Sequence, residues 1–332
     1  MTLAIFFKLL VLVAVVAAGW YAGRTPLMRG PEPVKAISAL AFYLLIPALL
    51  FRATARVDLP ALPWSTLLAF FGPATAWLLG VYLFHRLRQG AVTQAADAAM
   101  PATRAMMCSF GNTLQVGLPL VASLFGDAGL AIHVAIISVH ALTLLTLSTV
   151  LAEIDVARAR RAYSSGGKGP QESLGATIRQ TVRNTIIHPV ILPVIAGLSW
   201  NLAGLPVPQP MDEALQLLAS GVVPLCLVMI GLSLAHYGIE GYARVAVGCS
   251  AGKMILMPAV VLVAAHWGLG LSGLPLTVIV LVASLPTGSN ALLFAQRYDA
   301  QVPQATAAIV VGTVAFAAMA PVWLQVLAWV GG

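Results

Sequence analysis

Long apolar stretches separated by short polar loops run along nearly the whole chain. Because about 20 apolar residues cross the hydrocarbon core of a bilayer as a helix, this pattern predicts ten transmembrane helices, and hence an all-α, polytopic membrane protein. The predicted spans cover residues 3–22, 34–52, 62–84, 101–125, 128–151, 186–203, 212–235, 242–266, 274–297 and 303–328. We expect the first segment to be a retained span rather than a cleaved signal peptide.

Span 4 cannot be one continuous helix. Residues 108–124, with the sequence CSFGNTLQVGLPLVASL, contain the helix-weakening residues Gly117 and Pro119. Three polar side chains stand in the same stretch at membrane depth: Asn112, Thr113 and Gln115. A helix break within the hydrocarbon core of the membrane is stable only where its backbone is buried in protein or lines a water-filled cavity.

Span 9 repeats this pattern in the second half of the chain. Residues 282–294, VASLPTGSNALLF, contain Pro286 and Gly288, followed by the polar residues Ser289 and Asn290. Two interrupted segments in corresponding places of two halves are a sequence indication of a secondary transporter's binding site. We therefore predict that spans 4 and 9 form that site together.

A basic stretch at residues 155–183 separates five spans from five. It predicts a first repeat at residues 1–153, a cytoplasmic linker at 154–185 and a second repeat at 186–332, although a regulatory loop is the alternative. With an odd number of spans in each half, any repeat must be inverted. Pro47 in span 2 and Pro224 in span 7 agree with such a repeat, but prolines are also common in membrane helices.

Composition supports the membrane assignment and the charges orient it. The chain is 60% hydrophobic and 9% charged, which leaves no room for a sizeable soluble domain. Positively charged residues concentrate in cytoplasmic loops, so the termini are expected outside. Of the 18 Lys and Arg, 14 then lie inside: Arg24, Arg29, Lys35, Arg86, Arg88, Arg104, Arg158, Arg160, Arg161, Lys168, Arg179, Arg183, Arg244 and Arg297. The net charge of +7 is explained by these loops, without nucleic acid as a partner.

Each broken helix creates a new N-terminus at mid-membrane, which carries about half a positive charge and attracts anions. Neither break contains an acidic residue, so a carboxylate receptor is favoured over a cation site. Five side chains are candidate hydrogen-bond donors to that carboxylate: Asn112, Thr113, Gln115, Ser289 and Asn290. The alternative is that they only satisfy backbone groups that the breaks set free.

Two ionisable residues lie deep in predicted spans. Lys253 is nine residues beyond Arg244, about 13 Å deeper along a helix, and functional roles are expected for such groups. It could neutralise the carbonyl ends of the broken helices, or be the substrate's counter-ion. His140, in the middle of span 5, could be a buried neutral residue or a group that couples transport to protons.

Other chemistry finds no support in the sequence. Cys108, Cys226 and Cys249 lie in apolar segments without the spacing of a metal site or disulfide. We expect no metal, no cofactor and no catalytic residues, since HExxH does not occur and no paired acidic groups lie at membrane depth.

Five stretches resemble motifs of the auxin efflux carrier family, in the same order and over nearly all ten spans. They are PALLF in span 2, GNTLQVGLPL in span 4, PLCLVMIGLSL in span 7, GKMILMP in span 8 and ASLPTGSNALLFAQRY in span 9. The resemblance implies a ten-helix, 5+5 inverted repeat with crossover helices 4 and 9, similar to bile-acid and sodium/proton transporters. It implies substrate contact for Asn112 and crossover prolines at Pro119 and Pro286. The short central loop and VHALTLLTLSTVLAE in span 5 are similar to the bacterial branch, where malonate carriers are found.

These observations predict a secondary transporter of small organic acids, with malonate or a similar dicarboxylate as the first hypothesis. An exporter of auxin-like or amino-acid-derived acids is the alternative, and a membrane sensor a remote one. The expected location is the bacterial inner membrane, with the lipid bilayer and the organic acid as partners. Co-transported protons or sodium, transport direction and a homodimer remain open.

Overall fold

The computed structural model describes residues 3–56, 63–90, 95–164, 191–237 and 241–330. Across these ranges the chain is helical and forms no β-strand, apart from an isolated antiparallel bridge between Gly111 and Thr287. Four helices of the described chain are long and apolar enough to cross a membrane: Trp64–Arg88, Ala128–Ala159, Ala243–Gly268 and Val302–Val330. The prediction of an all-α, polytopic membrane protein is thus confirmed at that level.

The described first half contains seven α-helices: α1 (Leu3–Ala22), α2 (Pro31–Leu40), α3 (Ile46–Ala55), α4 (Trp64–Arg88), α5 (Ala95–Ser109), α6 (Leu118–His140) and α7 (Thr146–Ser164). Three π-helical turns lie between them: Ala41–Leu45, Thr113–Gly117 and Ala141–Leu145. Within α6, Gly126 has φ 58°, a conformation that favours glycine, so two helical pieces meet there. This turn falls between the predicted spans 4 and 5.

The described second half contains eight α-helices: α8 (Ile191–Leu202), α9 (Gln209–Ser220), α10 (Val222–Tyr237), α11 (Ala243–Ala251), α12 (Met257–Leu262), α13 (Gly273–Ala283), α14 (Asn290–Arg297) and α15 (Val302–Val330). π-Helical turns occur at Gly252–Leu256 and Val263–Gly268. The helices α11 and α12, with both turns, form one continuous helical segment.

Prolines account for several of the π-helical turns. Proline lacks an N–H and cannot bond to the carbonyl four residues earlier; Pro47 and Pro258 each lie just beyond such a turn. The carbonyl of Met254, four residues before Pro258, instead accepts a 2.7 Å hydrogen bond from Trp323 Nε1. A side chain from α15 thus replaces the missing backbone donor.

The helices pack in two groups. We call α1–α3 with α8–α10 the panel, and the remaining helices the core. Within the panel, α1 packs along α10 and α3 packs along α8. The packing of α1 along α10 depends on Gly231, because an added Cβ there would lie 2.1 Å from the carbonyl oxygen of Val16.

The first part of the predicted linker is helical. Helix α7 continues to Ser164, so residues 154–164 are helical rather than part of a loop. The reason is that Asp155, which is buried, accepts a 2.7 Å hydrogen bond from Tyr82 and pairs with Arg86 at 3.1 Å. The rest of the linker, from residue 165, lies outside the described residues.

Candidate functional site

The two helix breaks predicted from the sequence meet in the core. Helix α5 ends at Ser109 and α13 ends at Ala283. The backbone N–H of Asn112 donates to the carbonyl of Pro286 at 2.8 Å, and the N–H of Gly288 donates to the carbonyl of Phe110 at 2.8 Å. These reciprocal hydrogen bonds flank the Gly111–Thr287 bridge.

Glycine is required for this close approach. A Cβ on Gly288 would lie 2.8 Å from the carbonyl oxygen of Gly111 and 3.1 Å from its carbonyl carbon. Both are backbone atoms, which cannot move aside as a flexible side chain could. Gly288, predicted as a residue of the break, therefore permits backbone contact between the two breaks.

The carbonyl ends of the two interrupted helices are bonded by side chains of the core. Thr287 Oγ1 donates to the carbonyl of Met107 at 2.8 Å, and Trp77 Nε1 donates to that of Cys108 at 2.8 Å. At the end of α13, Lys253 Nζ donates to the carbonyl of Ala283. Unpaired carbonyls at buried helix ends would be costly, so these contacts stabilise the breaks.

Lys253 is fully buried and lies close to both breaks. Its Nζ is 3.4 Å from the position that a Cβ on Gly111 would occupy. A helix C-terminus carries about half a negative charge, so the ammonium lies where two such ends, those of α5 and α13, come together. Lys253 is not among the described residues that line the cavity beside the breaks.

Beyond the breaks, two new helical segments begin. The carbonyl of Asn112 accepts from the N–H of Gly117 at 3.0 Å, and the carbonyl of Ser289 accepts from the N–H of Leu292 at 3.0 Å. Asn112 and Ser289 therefore stand immediately before the first hydrogen-bonded turn of each segment, at its positive end.

A cavity of about 100 Å³ lies between the panel and the core at these positive ends. The panel contributes Leu49, Leu50, Ala53 and Thr54 of α3 and Val222 of α10. The polar side chains that the core contributes are Asn112, Thr113, Ser138, His140, Ser289 and Asn290. Space of this size is several times the ~10–15 Å³ that a cavity needs to hold one water.

His140 forms part of the cavity wall with only 2% of its surface exposed. Its ring centroid is 4.2 Å from that of Phe110. Among the described residues, none hydrogen-bonds its ring nitrogens.

His133, seven residues before His140 in α6, has a different role. Its Nε2–H donates to the carbonyl of Thr113 at 2.8 Å. A Cβ on Gly117 would lie 2.9 Å from two atoms of this imidazole ring. Gly117, predicted as part of the break, thus makes room for the ring that holds the first break in place.

The structure brings four of the five predicted donors to the cavity: Asn112, Thr113, Ser289 and Asn290. Pro286 supplies a carbonyl to the contact between the breaks. The side chains of Gln115 and Pro119 lie outside the described part of the structure. In the described chain, no group of three His, Cys, Asp or Glu is placed to hold a metal ion.

Three residues were not predicted from the sequence. Trp77 and Thr287 donate hydrogen bonds to carbonyls at the end of α5, and Thr54 lines the cavity from the panel. An indole N–H buried in a membrane helix needs an acceptor, so Trp77 was a detectable candidate. Nothing in the local sequence identifies α3 as the facing wall.

Two relatives and a family profile match nearly the whole chain. A protein of Methanothermobacter thermautotrophicus described as an uncharacterized transporter is 24% identical over 300 residues, which is 90% of each chain. The uncharacterized transporter YfdV of Escherichia coli K12 is 24% identical over 332 residues, with 96% of each chain covered. The family profile described as Membrane transport protein matches residues 4–324. The chain is therefore a membrane transporter that belongs to this family, the auxin efflux carrier family.

Proposed function

We propose that the protein is a secondary active transporter of small organic carboxylates, with malonate or a similar dicarboxylate as substrate. It works by alternating access around the cavity at the two helix breaks. The observation that carries this proposal is the pairing of the breaks, which turns two helix N-termini toward one cavity lined by Asn112 and Asn290. Oriented N–H groups and amide side chains at such ends bind carboxylates.

The cavity's size and chemistry support a small anion. Malonate, with seven non-hydrogen atoms, is a small organic acid, which suits a cavity of about 100 Å³. The described lining residues include no Asp or Glu, which a cation site would need. Asn112, Thr113, Ser289 and Asn290 are the proposed substrate-binding residues, and Lys253 compensates the carbonyl ends rather than pairing with substrate.

The helix packing supports a 5+5 inverted repeat with spans 4 and 9 as crossover helices. A two-fold axis in the membrane plane would exchange spans 1 and 6 and spans 2 and 7. Span 1 corresponds to α1, span 2 contains most of α3, span 6 contains α8 and span 7 contains most of α10. The axis would therefore exchange the contact of α1 with α10 and the contact of α8 with α3, both of which are extensive. The reciprocal hydrogen bonds between the breaks obey the same exchange.

The proposed location is the bacterial inner membrane with both termini outside. An inside-negative potential opposes entry of each negative charge by about 2.3 kcal/mol per 100 mV. Uncoupled movement of the anion therefore favours export, whereas uptake needs co-transported protons or sodium. His140 is the proposed site of proton coupling, because it is the titratable side chain on the cavity wall among the described residues.

The test is uptake of radiolabelled malonate by the purified protein in proteoliposomes, under imposed proton, sodium and potential gradients. Asn112→Ala removes a proposed donor and should raise the KM about tenfold, as expected for a lost hydrogen bond to a charged group. Thr143→Ala is the matched control, because the Thr143 hydroxyl bonds its own helix at Val139, 2.9 Å away, and Thr143 is not among the described residues that line the cavity. Absence of uptake under every gradient would refute the malonate proposal.

A second candidate is export of auxin-like aromatic acids, which the ring of Phe110 in the cavity wall favours. Phe294, the other aromatic residue of the breaks, packs against Tyr298 and does not line the cavity. Competition between labelled malonate and auxin distinguishes the two. Stronger inhibition by auxin than by unlabelled malonate would favour the aromatic acid.

A further inference from the structure

The fixed charges around the cavity balance for a ligand with one negative charge. Two helical segments present their N-termini there, each with about half a positive charge. The full charge of Lys253 stands against the two carbonyl ends, each with about half a negative charge, and its ammonium bonds to Ala283. No Asp, Glu, Lys or Arg occurs among the described lining residues.

A dicarboxylate that binds as a dianion would therefore bring one charge too many. Its first carboxylate is matched by the two helix N-termini, but its second would lie in a mostly apolar cavity without a cationic partner. Burial of an unpaired ion is strongly unfavourable. A proton on the second carboxyl group removes this difficulty.

His140 is placed to receive that protonated group. It is almost fully buried, lines the cavity, and its ring nitrogens have no hydrogen-bond partner among the described residues. A neutral imidazole offers one acceptor nitrogen, which an acidic O–H can donate to. The imidazole of His140 is therefore a polar group on the cavity wall without a hydrogen-bond partner among the described residues. This observation does not depend on the charges of the helix ends.

The surroundings of His140 contain few other groups that exchange protons. Among the described residues, the titratable groups that interact electrostatically with it are Lys253, from the π-helical turn Gly252–Leu256, and His133, on its own helix. The rings of Phe70 and Phe71 from α4 and of Phe110 from the first break complete the contacts.

We propose that the cavity binds a small dicarboxylate in its singly protonated form. The ionised carboxyl lies at the two helix N-termini, and the second carboxyl donates its proton in a hydrogen bond to His140. This inference rests on the proposed function and deepens it, since the substrate itself carries the coupled proton. It accounts for a transport site without an acidic residue, and it halves the charge that moves with each substrate.

The first test measures initial uptake of radiolabelled malonate by proteoliposomes at a series of pH values, with the membrane potential held at zero. Above the second dissociation of malonate, the singly charged fraction falls about tenfold per pH unit, so the KM for total malonate should rise about tenfold per unit. The turnover number should stay constant. A KM that does not change over this range would overturn the inference, because the dianion would then be the bound form.

The second test uses His140→Leu and propionate, which has one carboxyl group and similar size. The KM for malonate should rise about tenfold through loss of the hydrogen bond, while the inhibition constant of propionate should stay the same. Thr143→Ala should change neither value, because the Thr143 hydroxyl bonds Val139 in its own helix and Thr143 is not among the described residues that line the cavity. Equal losses for malonate and propionate in His140→Leu would contradict the assigned role.

These outcomes separate the inference from the proposed function. Uptake of malonate with a pH-independent KM removes the inference and leaves the transporter of dicarboxylates in place. No uptake at any pH removes both.

Discussion

The ammonium of Lys253 lies at the carbonyl end of α13, where the partial negative charge of a helix collects. Its depth could be predicted, because nine residues of helix separate it from Arg244. Its acceptor could not be predicted. Ala283 is 30 residues further along the chain and on another helix, so only the packing of α13 beside the π-helical turn brings them together.

Replacement of Lys253 by Met distinguishes the two roles considered for it. If the ammonium stabilises the carbonyl ends, Lys253→Met leaves the Ala283 carbonyl without its donor and costs about 1–3 kcal/mol. We expect a lower melting temperature of the substrate-free protein in detergent. A counter-ion role would instead leave that temperature unchanged and abolish only the stabilisation by added malonate.

At the scale of elements, the chain uses glycine and proline for distinct tasks. The positions of the two breaks could be predicted, because Gly and Pro weaken helices wherever they occur. The hydrogen bonds between the breaks could not, since Asn112 and Pro286 are far apart in sequence. The π-helical turns also escaped prediction, because a proline alone does not determine which donor replaces its missing N–H.

Gly288→Ala should separate the breaks. Its Cβ would lie 2.8 Å from the carbonyl oxygen of Gly111, so the reciprocal hydrogen bonds must lengthen and transport should be lost. Gly80→Ala in α4 is the control, since nothing lies within 4 Å of its Cβ, and it should stabilise the helix by about 0.5–1 kcal/mol. Transport and thermal unfolding of both variants check the prediction. Normal transport by Gly288→Ala would show that the breaks tolerate separation.

Trp323 and Pro258 should be energetically coupled. Trp323→Phe leaves the Met254 carbonyl without its 2.7 Å hydrogen bond, at a cost of about 1–3 kcal/mol. In the double variant with Pro258→Ala, the restored N–H can reach that carbonyl, so the loss should be smaller. A double-mutant cycle of unfolding free energies measures the coupling, and strictly additive effects would contradict it.

At the scale of the whole molecule, the panel and the core make unequal contributions to the cavity. The predicted donors that line the cavity all come from the core: Asn112, Thr113, Ser289 and Asn290. Helix α3 of the panel contributes Thr54 and otherwise apolar side chains to the cavity wall. Sequence periodicity indicates which segments cross the membrane, but not which helices pair. Close contacts such as that of Gly231 with Val16 decide the pairing.

The proposed orientation predicts which ends of the molecule face outward. In a variant without its native cysteines, Gln209→Cys should react with a membrane-impermeant maleimide in intact cells. Gly90→Cys, where nothing lies within 4 Å of the added Cβ, should react only after permeabilisation. The reversed pattern would place both termini in the cytoplasm.

The backbone bridge between Gly111 and Thr287 has a consequence for how substrate affinity is distributed over the transport cycle. Because each break is hydrogen-bonded to the other, the proposed substrate-binding residues of both breaks should move together in the proposed alternating access. The dissociation constant measured from one side of the membrane should then equal that measured from the other. Substitutions in α1, which contributes no described residue to the cavity wall, should change how fast the site is reached without altering how tightly it holds its occupant.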